Sequence, residues 1–313
     1  HCGPTGSGKT TSLYTAINHL NDNSRNIQTV EDPVEGDIPG VNQAQVNPEI
    51  GLTFANVLRS YLRQDCDVIL VGEIRDSETA SLAVQAALTG HLILGTIHSN
   101  MAVGTIARLT ELSVSPFFVA SALNGVVSQR LVRRLCIDCR QAYAPPERVR
   151  RRFRIPEGQP IYRAVGCASC AGSGYRGRIC VQEVMAITDE VQSAIHNGLP
   201  ETELQRLAIK EGMTPILKDG LTKALAGLTT VEEVTLILQG VGLTADQVVE
   251  AEMNRIRRVA ASRRGESTPQ PASTGAQPVV RRAEGSHPSG HEDGSHQRSG
   301  PYTSPNLKTY DVE

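Results

Sequence analysis

Gly3-Pro4-Thr5-Gly6-Ser7-Gly8-Lys9-Thr10 satisfies all four specified positions of the phosphate-loop pattern G-x-x-x-x-G-K-[ST]. Its three glycines let the backbone wrap closely with N–H groups turned inward. Gly6, Ser7, Gly8 and Lys9 are therefore expected to cradle phosphate oxygens at a helix N-terminus, where the dipole favours anions. Lys9 would reach the β- and γ-phosphates of ATP and Thr10 would offer its hydroxyl to Mg2+. Thr11 opens the helix that the motif needs, with Leu13, Ala16, Ile17 and Leu20 on one face.

Outward from the loop, strand and helix signals alternate. Asn26–Val30 reads as a short strand delivering Glu31 and Asp32 to its carboxyl end, where open α/β sheets place ligand chemistry. Residues 35–51, rich in Gly, Pro, Asn and Gln, read as a loop. Phe54, Val57, Leu58, Tyr61 and Leu62 then repeat at helical spacing. Asp67-Val68-Ile69-Leu70-Val71-Gly72-Glu73 is a continuous apolar run ending in a carboxylate, the pattern of a parallel strand buried on both faces. An Ala-rich helix over 79–88 and a further buried strand over 92–98 follow. This order predicts an α/β fold whose mostly parallel sheet has helices on both faces.

From Cys136 to Val181 the pattern changes to two Cys-x-x-Cys pairs, a Pro-Pro and the basic run Arg148–Arg152, with little period. Helical signals return over 183–239, including a capping box at Thr230–Glu233, and a second box at Thr244–Gln247 opens a helix through about Ala261. Beyond Ser262 the chain is Ser, Gly, Pro, His and Arg without period, too polar to offset ordering entropy. The predicted layout is a P-loop core over 1–134, a four-cysteine element over 135–182, a helical region over 183–261 and a disordered tail over 262–313.

Composition sets outer limits. With 39% hydrophobic and 20% charged residues the chain suits one large or two modest globular domains. No stretch approaches the ~18 apolar residues of a membrane span, so no transmembrane segment is expected. A net charge of -2 argues against broad electrostatic binding of nucleic acid. Seven cysteines, an odd number with two Cys-x-x-Cys pairs, fit a reducing cytoplasm and a metal site. Cys136, Cys139, Cys167 and Cys170 have the spacing of two knuckles closing on one structural Zn2+. Disulfides and unrelated thiols are the competing readings.

Phosphoryl transfer needs a metal-organising acid and a group to orient water. Glu73, closing its apolar run, would hold water on Mg2+ or act as general base; Glu31, at the neighbouring strand end, is its rival. Four ordered blocks carry a resemblance here. The P-loop, Thr29–Glu35, Asp67–Asp76 and Thr89–Asn100 resemble the Walker A, Asp box, Walker B and His box of the bacterial secretion ATPases, which power type II secretion and type IV pilus assembly. The likeness extends through Gln129–Cys136 and Gly174–Arg178 to Thr229–Val234. It implies a RecA-like motor working as a homo-hexamer, in the cytoplasm and held at the inner membrane by platform partners. It also implies γ-phosphate sensing by His98 and by His91. The four-cysteine element resembles the secretion and pilus-extension branch.

Two departures stand out. Cys66 occupies a position where the family usually has Pro, and the family's N-terminal domain, with the arginines that reach the nucleotide, is expected upstream of His1. Other readings compete at this stage: a zinc-binding nucleic-acid module with an incidental nucleotide site, a DNA-uptake pilus ATPase of the same family, and a P-loop kinase acting on a small acceptor.

Overall fold

The computed structural model describes residues 1–22 and 24–241. In chain order the elements are α1 (Lys9–Leu20), β1 (Ile27–Glu31), β2 (Asn42–Gln45), α2 (Phe54–Tyr61), β3 (Val68–Val71), α3 (Ser77–Leu88), β4 (Leu92–Gly95), α4 (Gly104–Glu111), α5 (Pro116–Ala122), β5 (Gly125–Leu135), β6 (Gln141–Tyr143), α6 (Glu147–Phe153), β7 (Ile161–Arg163), β8 (Tyr175–Ala186), α7 (Asp189–His196), α8 (Glu201–Lys210), α9 (Ile216–Leu225) and α10 (Val231–Val241).

The sheet that positions the site runs β2-β1-β3-β4, parallel throughout. β1 and β3 are buried along their whole length; β3 is apolar throughout, as burial on both faces requires, whereas β1 buries Gln28, Thr29 and Glu31 as well. Leu13 and Ile17 of α1 pack with Ile27, Val68 and Leu70 on one face. Phe54, Val57, Leu58 and Tyr61 of α2 pack with Val30, Ile69 and Val71 on the other. Helices thus cover both faces, and each such fully buried side chain contributes roughly 1.5–3 kcal/mol.

Three expectations change. β4 is not the buried strand expected over 92–98. It ends at Gly95, Leu92 is exposed and Ile93 to Gly95 are half-buried, because along this stretch β4 pairs with β3 on one side only. Farther on, Cys2 bridges in parallel to both Ile97 and Ser128, so the phosphate loop springs from between the end of β4 and β5. The stretch over 35–51 holds a strand, β2, whose Asn42-Gln43-Ala44-Gln45 gives no apolar period because it is the sheet's polar edge. The four-cysteine region is also more regular than its sequence indicates. β5 and β8 form a long antiparallel ladder from Gly125↔Ala186 to Leu135↔Tyr175, with an irregularity after Arg133. β8 shows inside–outside alternation only from Val181 onward, so its first half carries no strand signal.

The helices of the C-terminal part pack as their periods require. Leu204, Ala208 and Ile209 of α8 join the larger core around Val119, Met185 and Ile195. Leu217 and Ala224 of α9 and Val231 and Val234 of α10 cover Phe153 and Ile161. Thr230 Oγ1 accepts the Glu233 N–H at 3.3 Å, one half of the capping box. The other half is diverted: the Glu233 carboxylate takes Arg133 N at 2.9 Å, Nε at 2.9 Å and a terminal guanidinium nitrogen at 2.6 Å. The second capping box and the 262–313 tail lie outside the described residues. Among the described residues no helix is long and apolar enough to cross a membrane.

Candidate nucleotide site and four-cysteine cluster

The loop's shape is fixed by glycine and by β5. Gly3 has φ +143°, and a Cβ there would lie 2.6 Å from the Gln129 carbonyl oxygen and 2.8 Å from Ser7 Oγ. Gly8, at φ 85°, caps α1, with Gln129 Nε2 3.1 Å from where its Cβ would be. Gln129 is itself buried and clamps the loop twice. Its Nε2 donates to the Ser7 carbonyl at 2.8 Å, and its Oε1 accepts from Ser12 Oγ at 3.0 Å. Beside it, Arg130 donates to the Asn100 carbonyl at 3.0 Å and to Asn100 Oδ1 at 3.3 Å. Ser7 Oγ is buried without a hydrogen-bond partner among the described residues, a donor left for a ligand oxygen.

Lys9 Nζ donates to the carbonyls of Gly3 at 2.9 Å and Pro4 at 3.1 Å. Burial pushes the Lys9 ammonium down from its ordinary range, while the Glu73 charge pulls it back up. Thr10 Oγ1 donates to Glu35 Oε1 at 3.2 Å. Pro4, Thr5, Gly6 and Thr11 are exposed.

The two carboxylates at the strand ends occupy different environments. Glu31 is 3% exposed and its oxygens are committed: Tyr14 Oη donates to Oε2 at 2.5 Å, while Thr29 Oγ1 at 2.5 Å and Gln43 Nε2 at 3.1 Å donate to Oε1. Burial and the bond to Glu31 raise the Tyr14 phenol above its usual range, so it stays a donor. Glu73 is more open. Its Oε1 lies 3.1 Å from His98 Nε2 and its Oε2 3.7 Å from Arg75, which also lies 3.7 Å from Asp32. A carboxylate with free lone pairs beside an imidazole can take a proton, whereas one saturated by three donors holds its neighbours in place.

The structure therefore brings Lys9, Thr10, Glu31, Glu73 and His98 to the carboxyl edge of the sheet, but not His91. That residue sits at the opposite end of β4, its Nδ1 3.0 Å from the Ala86 carbonyl and 3.3 Å from Thr89 Oγ1. Of the two histidines expected to sense the γ-phosphate, only His98 therefore lies at the loop end of β4 within the chain, because a parallel strand delivers only its carboxyl end to the loop. Sequence reasoning passed over Tyr14, Glu35, Gln43 and Gln129. Gln129 had only a weak signal, since it stands between Ser128 and Arg130 in a polar run within β5; only its burial shows that its amide must find partners.

Cys136, Cys139, Cys167 and Cys170 converge, all four sulfurs lying within 4.8 Å of one another. The Cys136–Cys167 and Cys139–Cys170 pairs are 3.8 Å apart, and Cys167–Cys170 is 3.7 Å. A tetrahedron of thiolates about 2.3 Å from a central ion has edges of about 3.8 Å, whereas a disulfide would need about 2.05 Å. Backbone N–H groups are aimed at the sulfurs, Gly166 at Cys139 (3.3 Å), Cys167 and Gly174 at Cys170 (3.2 Å each). The Cys167 N–H, with help from Gly174, holds the Cys170 thiol down to about 6, toward the thiolate a metal requires, while burial pushes the Cys139 thiol up to about 11. The donor set fits a closed, structural tetrahedral site.

Comparison with known proteins places these features. The model of a family described as type II/IV secretion system protein matches residues 2–236. Type II secretion system protein E of Dickeya dadantii is 50% identical over 235 residues, covering 75% of this chain and 47% of that protein. The type IV pilus assembly ATPase PilB of Thermus thermophilus is 49% identical over 236 residues, covering 74% of this chain and 26% of that protein. The chain thus spans about half the length of the former relative and about a quarter of the latter. Among solved structures, the pilus retraction motor PilT with bound ADP superposes with a TM-score of 0.57 at 29% identity, covering 75% of this chain and 59% of that one.

Proposed function

The chain belongs to the type II/IV secretion system protein family, and from that premise we propose that it is the ATP-hydrolysing portion of a motor for type II pseudopilus or type IV pilus assembly. The observation that carries the proposal is the convergence of Lys9, Thr10 and the Glu73–His98 pair at one edge of a RecA-like parallel sheet, above a loop shaped to wrap phosphates.

In this reading Gly6, Ser7, Gly8 and Lys9 hold the triphosphate through backbone N–H groups, and Lys9 leaves its two carbonyl partners for the β- and γ-phosphates. Thr10 and the Glu35 and Glu73 carboxylates would hold Mg2+, which when bound neutralises charge on the phosphate oxygens. Glu73 positions the attacking water and accepts its proton. His98, its Nε2 3.1 Å from Glu73 Oε1, senses whether the γ-phosphate is present. Glu31 serves as a scaffold that fixes Tyr14, Thr29 and Gln43 beneath the site. The four cysteines would hold one Zn2+ that staples the element over 135–182 and takes no part in hydrolysis.

The remaining organisation is proposed on the same premise: a core over 1–134, a helical region over 183–261 and a tail over 262–313, assembled as a hexameric ring. The ring would work on the cytoplasmic side, docked to inner-membrane platform proteins. The test is product analysis with purified protein. Free phosphate from Mg-ATP, lost in Glu73→Gln with nucleotide binding kept, is the expected result. A phosphorylated small acceptor, or no nucleotide binding at all, would overturn the proposal.

A further inference from the structure

The buried face of the β5–β8 ladder carries a polar patch at its centre. Along that face β5 contributes Val126, Ser128, Arg130 and Val132, and β8 contributes Val181, Glu183 and Met185, every one of them buried. Apolar residues fill both ends of the face. Between them Ser128 and Glu183 stand directly opposite each other, with Arg130 two residues on. Buried polar groups cost stability unless each is paired, so their partners tell what the patch holds.

All three side chains reach the loop that follows His98. Ser128 Oγ donates to the Asn100 carbonyl at 3.3 Å, and Arg130 donates to the same carbonyl at 3.0 Å and to Asn100 Oδ1 at 3.3 Å. Glu183 Oε1 accepts the Ala102 N–H at 2.7 Å. Its other oxygen, Oε2, accepts the N–H of Ile216, the first residue of α9, at 3.1 Å. Pro215, which precedes α9, makes no side-chain cap, so Glu183 caps the helix from β8 with the charge its N-terminus favours. Burial pushes the Glu183 carboxyl above its ordinary range, while these two N–H groups and the Arg130 charge draw it back. One carboxylate thus joins the backbone four residues after His98 to the head of α9, and α9 in turn packs with α10 and with Phe153 and Ile161.

We propose that Glu183 is a positioning residue that ties the stance of His98 at Glu73 to the head of α9, passing the loop's response to the γ-phosphate into the C-terminal helices through this one carboxylate. The role rests on the hydrolysis reading above and adds to it the route by which nucleotide state leaves the site. Arg130 and Ser128 fix the loop at Asn100, midway between His98 and Ala102, so the segment moves as one piece. A shift of His98 must then carry Ala102 and Glu183 with it or break a hydrogen bond to a buried anion. Such a bond is worth roughly tenfold or more in an equilibrium. An amide at this position has one acceptor oxygen and turns its NH2 group toward one of the two N–H donors, so it can hold the loop or the helix but not both.

The experiment uses the 313-residue chain. Glu183→Gln should keep KM for ATP within about twofold of the parent while kcat falls about tenfold. In a His98→Ala background the same substitution should change kcat by less than about twofold, because a residue that acts through His98 then has nothing left to position. Asn100→Ala, at an exposed position that tolerates truncation, should be silent in that background too. Hydrogen exchange gives the readout that packing alone would not move. Replacing Mg-ADP by Mg-ATPγS should raise protection over 98–104 and over 213–222 in the parent, but over 98–104 alone in Glu183→Gln. Full additivity of either substitution with His98→Ala, or a response over 213–222 that survives in Glu183→Gln, would overturn the proposal and leave hydrolysis standing. So would a parent that releases phosphate yet shows no difference over 213–222 between the two nucleotides. A parent that binds no nucleotide would remove the hydrolysis reading and this role together.

Discussion

Gln129→Met tests how the phosphate loop is held. The substitution keeps length and apolar packing but forfeits both hydrogen bonds of the amide, Nε2 to the Ser7 carbonyl and Ser12 Oγ to Oε1. Each such bond is worth about 0.5–1.5 kcal/mol net, and leaving the buried Ser7 carbonyl unpaired adds about 1–3 kcal/mol. With the thioether filling the same space, a total of about 2–3 kcal/mol is reasonable for the loop's binding-competent shape. If all of it falls on that shape, nucleotide affinity drops by roughly 30- to 150-fold. Titration of a fluorescent ATP analogue by the parent and variant measures this directly, with thermal melting as control for global damage. Adding Ser12→Ala to Gln129→Met should cost little more, because the bond it removes is already gone. Nucleotide affinity within about twofold of the parent would refute the clamp and leave Gln129 as packing alone.

Three further outcomes follow from the site. Glu73→Gln should bind ATP almost as the parent does while turning it over about a hundredfold or more slowly, whereas Lys9→Ala should weaken binding itself; single-turnover phosphate release separates the two, and parental turnover in Glu73→Gln with loss in Glu35→Gln or Glu31→Gln would move the base. Tyr14→Phe removes one of the two 2.5 Å donors to Glu31 and should lower stability by about 1–2 kcal/mol, read as a lower melting temperature, while turnover falls less than in Glu73→Gln; equal losses of turnover would mean that Glu31 acts on the substrate. Metal analysis should find one zinc per chain, released by a strong chelator with loosening of residues 135–182 in hydrogen exchange, and a full equivalent of zinc in Cys167→Ser/Cys170→Ser would sink the four-ligand site.

The parts of this molecule that sequence revealed are those where one physical requirement selects one residue type. A loop around phosphate needs glycine at Gly3 and Gly8, a strand buried on both faces must be apolar from Val68 to Val71, and a tetrahedral thiolate site needs cysteines paired at short spacing. What stayed hidden was decided by tertiary pairing. β2 is polar because it is an edge, and nothing in Asn42-Gln43-Ala44-Gln45 announces a strand until β1 lies beside it. Glu31 and Glu73 look alike as carboxylates at strand ends; only the arrival of Tyr14 and Gln43 from other elements distinguishes a saturated anion from an available one. The Thr230–Glu233 box is half right for the same reason, since the sequence cannot tell that Arg133, a hundred residues away, will claim the carboxylate.

β5 is held near its middle and just past its end. Gln129 grips the phosphate loop, and seven residues farther on Cys136 enters the sulfur cluster, a span of about 23 Å at strand rise. The strand is laddered to β8 from Gln129 to Arg133, so up to that point it behaves as a stiff strut that carries a displacement of the loop toward the cluster. The register irregularity between Arg133 and Leu135 is the one compliant joint in the strut, and Arg133 is fastened there to Glu233 at the head of α10. Strain generated at the nucleotide would therefore be steered into α10 at that joint, so cutting the Arg133–Glu233 tie should uncouple the two ends while leaving each intact.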